Sequence, residues 1–194
     1  MNKDGRLLVR KAGRSQQRGI TLIEVLISMF VLTIGLVSTL GVLGIVVKAT
    51  QASEEAGVSK TIANEALESI LTARETANIP WSSVANTGDG GIFLSGFQSA
   101  YNAGADGIYG TADDAASGMQ TLQLPGPDGI YGTADDALLP LSNYQRQIVI
   151  TSDPSCGGAP TCNLVDVTIT VQYQTAQFKI PQTYTLSTFV SQYR

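Results

Sequence analysis

Three groups of residues in this chain have types and spacings suited to chemistry. The first is a set of six aspartates. The stretch GADGIYGTADDA at residues 104–115 recurs as GPDGIYGTADDA at residues 126–137, and only Ala105 and Pro127 differ. One copy supplies Asp106, Asp113 and Asp114; the other supplies Asp128, Asp135 and Asp136. No lysine or arginine lies between Arg74 and Arg146, so the sequence offers nothing nearby to neutralise these acids. Hard oxygen ligands without histidine or cysteine select Ca²⁺ over transition metals. The order Asp-Gly, five residues, Asp matches the second half of an EF-hand loop, where glycine makes the sharp turn and the last acid closes the shell. The first half departs: its ligand positions fall on Asn102 and Gly104, or on Leu124 and Gly126. Helical flanks are also missing, so this is not an EF-hand; backbone carbonyls near Ile108 and Ile130 are the candidates to complete each shell. The expectation is Ca²⁺ at up to two sites. The alternative is two duplicated Asp-Gly turns whose acids are simply solvated.

The second group is a lone carboxylate. Glu24 is the only charge in an apolar run from Ile20 to Val47. A carboxylate in a bilayer core costs about 2.5–3.5 kcal/mol on insertion scales, and such residues are functional by default. The alternative is that Glu24 sits at headgroup level in an ordinary span. The third group is Cys156 and Cys162 in CGGAPTC. The chain has no histidine and no second cysteine pair, which argues against zinc. A disulfide closing a short loop fits, and implies an oxidising compartment; two free thiols are the alternative.

The elements that position these groups follow from periodicity. Residues 1–19 carry six bases and one acid, which leaves six bases and fifteen acids, a net of −9, for the rest of the 194 residues. The acidic remainder excludes nucleic-acid binding by the main body, and the basic head reads as a topogenic signal. The 28-residue run at 20–47, at about 1.5 Å per residue, is a helix of roughly 42 Å, enough to span a bilayer core of about 30 Å. The bases before it place the N-terminus in the cytoplasm and the C-terminal part outside it. The run is too long for an ordinary cleaved secretory signal. Gly35, Gly41 and Gly44 weaken this helix and allow close approach or bending.

No breaker separates the run from a polar but amphipathic stretch at 48–77. Val58, Ile62, Ala66 and Ile70, with Ala63, Leu67 and Leu71 beside them, form one stripe at helical spacing. One continuous helix is expected from about Ile20 to about Ala77, its apolar half protruding and its amphipathic half packed. Residues 80–143, rich in Gly, Ala, Ser and Asp, read as a long loop region with short elements at most. Within it Trp81, Phe93, Phe97 and Tyr101 are expected to pin the loop by packing rather than to form an adhesive surface. Alternating β-branched strands follow at 144–152, 164–174 and 181–193, as an antiparallel meander with the cysteine loop at a hairpin. The fold class is α+β: a long N-terminal helix on an antiparallel sheet of three to four strands. The divisions are a leader at 1–19, an apolar half-helix at 20–47, an amphipathic half-helix at 48–77 and a globular β domain at 78–194.

These residues resemble the type IV pilin-like superfamily, in which a basic leader ends in glycine and is followed by an apolar residue, TLIE and an apolar helix. Here they are Gly19, Ile20, Thr21, Leu22, Ile23 and Glu24. TLIEVLISMFVLTIGLV and the terminal YTLSTFVS look most like minor pilins of the PilV kind. The resemblance covers residues 14–75, with a weaker echo in the last strand. It implies cleavage between Gly19 and Ile20 by a prepilin peptidase, N-methylation of Ile20, and a Glu24 carboxylate facing the N-terminal amine of a neighbouring subunit. That pairing accords with the cost of an unpartnered buried charge. The chain departs from the pattern at Ile20, where phenylalanine is usual, at Gly41, where many major pilins have proline, and in its long leader.

The resemblance implies a structural subunit of a type IV pilus, a minor pilin that assembles into or primes the filament. Its partners are other pilins, the prepilin peptidase and the inner-membrane assembly machinery. The protein would rest in the inner membrane with its C-terminal domain periplasmic, then move to the pilus at the cell surface. A pseudopilin of a type II secretion system is the alternative within the superfamily. A membrane-tethered enzyme is the alternative of another class. It is disfavoured because histidine and GxSxG are absent and neither Lys60 nor Lys179 has a Ser-x-x-Lys partner.

Overall fold

The structure, a computed structural model, describes residues 19–152, 163–175 and 180–193. Its α+β architecture has one long helix, a four-stranded antiparallel sheet and a separate two-stranded sheet. Helix α1 is Leu22–Glu75, two residues shorter at each end than its apolar and amphipathic pattern predicts. Thr21 closes its start, with the Thr21 carbonyl accepting from the Glu24 amide at 3.0 Å and the Val25 amide at 3.3 Å. Its end is a Schellman turn. Asn78 N–H reaches the Ala73 carbonyl at 2.9 Å and Ala77 N–H the Arg74 carbonyl at 3.2 Å. Ala77 adopts φ 56° there, in the left-handed position where glycine is usual, and Pro80 follows.

The chain divides into two compact units, Met1–Val46 and Val47–Arg194. In the first, every described residue is exposed. In the second, the predicted stripe is the buried face of α1: Ile62, Ala63, Ala66 and Ile70 are buried, joined by Ser59 and Ala73. Alanines at three of these positions leave little between the helix backbone and the sheet, as close packing requires.

The sheet is ordered β1 (Gln98–Ser99), β4 (Tyr144–Ser152), β5 (Leu164–Tyr173) and β6 (Gln182–Ser191). Ile148 lies opposite Ile169, which lies opposite Leu186, so the alternating patterns are in register. Val165, Val167, Ile169, Val171 and Tyr173 are all buried against the helix stripe in one core. Beyond the two-residue β1, the edge of β4 is covered by a loop through Asn86. Its buried side chain donates to the Ile148 carbonyl at 2.8 Å and accepts from Ile150 N–H at 2.8 Å, standing in for a strand partner. Phe93 is fully buried and Trp81 packs against the core, as expected, but Phe97 is 40% exposed and lies outside the core cluster.

The region read as a long loop holds only short elements, as expected, and two of them pair. β2 (Thr121–Leu124) and β3 (Ala137–Pro140) pair antiparallel, with Leu124 opposite Ala137. Residues 125–136 are therefore a hairpin loop. Cys156 and Cys162, and with them the expected disulfide, lie outside the described residues.

Candidate functional site

Two sites stand out, one in each unit. The first begins where the backbone turns into α1. Gly19 and Ile20 are exposed and lie just ahead of the helix, outside regular structure. Glu24 lies in the first turn, where the unpaired N–H groups of the helix favour a carboxylate. Its own carbonyl accepts from Ser28 Oγ at 2.7 Å. Ile20, Glu24, Ser28, Met29 and Leu32 line a shallow groove of about 590 Å³. The helix is long and apolar enough to cross a membrane, and every residue from 19 to 51 is exposed. An apolar surface of this extent marks a site that lipid or protein must cover.

The second site is the duplicated dodecapeptide. Both copies close the mouth of an antiparallel pair. The first follows a Tyr101–Met119 bridge, with Asn102 N–H on the Gly118 carbonyl at 2.9 Å; the second follows the β2–β3 pair. Most of their interior hydrogen bonds repeat. Asp114 accepts from Gly104 N–H at 3.1 Å and Gly110 N–H at 2.6 Å; Asp136 accepts from Gly126 at 3.2 Å and Gly132 at 2.6 Å. Asp106 accepts from Ile108 N–H at 2.8 Å, and Asp128 from Ile130 N–H at 2.9 Å. Thr111 donates to Asp113 at 2.6 Å, and Thr133 to Asp135 at 2.6 Å. Gly107 and Gly129 take φ 71° and 69°, which explains why Asp-Gly is kept in both. A Cβ on Gly104 or Gly126 would stand 2.1 Å from the carboxylate of Asp113 or Asp135, so any larger residue would displace that carboxylate.

The copies differ in where they sit. The first is built into the fold. Ile108 is 1% exposed, and Tyr109 N–H donates to Ser69 Oγ of α1 at 3.3 Å. Arg146 of β4 lies 3.7 Å from Asp114, donates to the Tyr101 carbonyl at 3.4 Å, and stacks 4.6 Å above the Tyr109 ring. The sequence expectation that nothing nearby neutralises the six acids is therefore corrected: a buried arginine from 32 residues beyond Asp114 meets it. Arg146 was legible in one respect, since it shares the inward parity of Tyr144, Ile148 and Ile150 in its strand. Burial pushes the Asp114 carboxyl up, opposed by the Gly110 and Gly104 amides and by Arg146; burial likewise pulls Arg146 down. Desolvation thus outweighs the attraction between the partners, as is usual for a buried pair.

The second copy is on the surface. Ile130 and Tyr131, the counterparts of Ile108 and Tyr109, are 60% and 66% exposed. Where Arg146 meets Asp114, the neutral amide of Gln123 meets Asp136 at 2.6 Å. The Thr133 hydroxyl holds Asp135 below the usual carboxylate value. Desolvation tends to raise Asp136, but the Gly132 amide, Gln123, Gly126 and Thr133 together hold it low.

For a metal, Asp106, Asp113 and Asp114 bring one oxygen each to within 4.8 Å of one another. Asp113 and Asp114 already accept from the loop's own donors, and Asp114 faces a cation.

Residues 14–40 match the family model of the prokaryotic N-terminal methylation motif. No curated protein and no solved structure matches the chain. The motif is that of a type IV pilin-like prepilin or pseudopilin. It implies processing by a prepilin peptidase and assembly with other pilins, and it points to a structural protein rather than an enzyme. With the apolar helix, it is consistent with anchoring in the inner membrane before assembly.

Proposed function

We propose that this chain is a subunit of a type IV pilus, a minor pilin of the PilV kind that enters or primes the filament through residues 20–47. The observation that carries the reading is the coincidence of the methylation motif with a helix whose apolar half is uncovered and holds a single carboxylate. Cleavage after Gly19 leaves Ile20 as the new N-terminus. Glu24 then meets the terminal amine of the next subunit, which removes the cost of its burial and fixes axial register. The filament then rests on α1 contacts, and the sheet domain is presented outside. Immunogold labelling of sheared filaments with an antibody to residues 80–194 tests this. Sparse or tip label supports a minor subunit, uniform label a major one, and absence of label from any filament favours a secretion pseudopilin. Glu24→Val should insert in the membrane but incorporate poorly; efficient incorporation would rule out the pairing role.

Calcium binding is a proposal of the same kind. It is supported by the gathered oxygens of Asp106, Asp113 and Asp114 and by the matching turn at Asp128, Asp135 and Asp136; the Arg146 contact weighs against it in the first copy. Calorimetric titration with Ca²⁺ at several millimolar, with Asp113→Ala and Asp135→Ala as controls, decides it.

A further inference from the structure

The duplicated loop displays, within one molecule, both a docked and an undocked copy of the same surface. In the docked copy Ile108 is buried in the core, Tyr109 is partly buried against it with its N–H on Ser69 Oγ of α1, and a guanidinium lies over the tyrosine ring beside the aspartate. In the undocked copy Ile130 and Tyr131 face solvent, Leu124 is 39% exposed, and no lysine or arginine is recorded in ion pair or stacking contact with the loop among the described residues.

This surface borders a groove of about 520 Å³ between α1 and β2. Its apolar floor includes Val58, Leu122 and Leu124, Tyr131 stands at its wall, and its only charged lining residues are Glu54 and Glu65. We infer that the second repeat and this groove form a docking site for a segment of a basic partner protein: an arginine stacks on Tyr131 amid Glu54, Glu65 and Asp136, and an adjoining aliphatic side chain enters the groove. Charge sets the occupant's chemistry. The first copy satisfies an identical tyrosine and acid with an arginine, and the groove adds two carboxylates with no cation of its own. A second copy of this chain fits poorly, because the part beyond residue 19 carries a net charge of −9. Like charges facing one another oppose association. The inference goes beyond filament assembly and does not depend on it, since every residue involved lies beyond Val47.

The test uses the full chain in detergent micelles and a fluorescein-labelled peptide of sequence QRQIVI, the arginine-bearing stretch that serves the first copy. A second peptide carries neutral citrulline in place of arginine. Fluorescence anisotropy should show saturable binding of the arginine peptide. Binding should weaken about tenfold with citrulline, about tenfold with Tyr131→Ala, and further with added salt. Tyr131→Ala should leave the thermal unfolding of the protein unchanged, because the ring is exposed. Absence of saturable binding, equal binding of both peptides, or indifference to Tyr131→Ala overturns the inference. Sedimentation velocity covers the remaining occupant: self-association of the wild type that Tyr131→Ala abolishes assigns the surface to a second copy and also overturns it.

Discussion

Ile108 and Ile130 occupy the same position of the same twelve-residue turn, so replacing each by alanine isolates the effect of context. Ile108 is 1% exposed in the core cluster, and Ile130 is 60% exposed. Truncating a buried isoleucine to alanine costs about 2–5 kcal/mol, because transfer energy is lost and the cavity relaxes only in part. A surface substitution stays within about 0.5 kcal/mol. For a chain of this size about 1 kcal/mol moves the melting temperature by about 2–4 °C. Taking about 3 kcal/mol, Ile108→Ala should melt about 6–12 °C below the wild type, and Ile130→Ala within about 2 °C of it. Thermal unfolding of the full chain in micelles, followed by near-ultraviolet circular dichroism, reads the loss of tertiary packing directly. Equal shifts for the two variants, or a larger one for Ile130→Ala, would refute the docked and undocked assignment.

Arg146→Gln leaves the Asp114 carboxylate buried without its cation and should cost about 3–5 kcal/mol. Adding Asp114→Asn should recover part of that loss, and a double variant as unstable as the single one contradicts the pairing. Acid should open the second repeat before the first. Asp113 and Asp135 are held low alike and lose their stabilisation together as pH falls, so the copies differ at Asp136, whose folded value lies below the ordinary 3.8 and whose stabilisation is present above that value and lost as pH falls through the depressed one. Asp114 has the opposite sign: its folded value is raised, so its contribution is full below 3.8 and is lost as pH rises through the raised one. Proton–deuterium exchange of the Gly126 and Gly132 amides against Gly104 and Gly110, at a series of acid pH values, checks the order; simultaneous opening counts against it.

The sequence carried the periodic elements well. Strict alternation placed Val165, Val167, Ile169 and Val171 on the buried face, and the four-residue spacing of Ile62, Ala66 and Ile70 marked the helix face, because burial on one side imposes those periods. The methylation motif was legible because it is local. Contacts that join distant segments were not. Asn86 mimics a strand partner across 62 residues, and a lone asparagine in a polar loop has no period to reveal it. The two repeats are nearly identical in sequence, so nothing inside them tells which is buried. That is decided by Ser69 and Arg146, which meet the first copy only. Short elements were expected there, but the pairing of β2 with β3 was not legible, because both strands are four residues long, lie on the surface and do not alternate in burial.

The central claim is that residues 20–47 are the processed assembly helix of a pilin-like subunit, and the mature N-terminus tests it most directly. Intact-mass and N-terminal fragment analysis of the protein from membranes of cells with an active prepilin peptidase should find a chain that begins at Ile20, heavier by one methyl group on its terminal amine. Gly19→Ala should retain the full leader. A mature chain that keeps residues 1–19, or one cut at another position, would contradict the account.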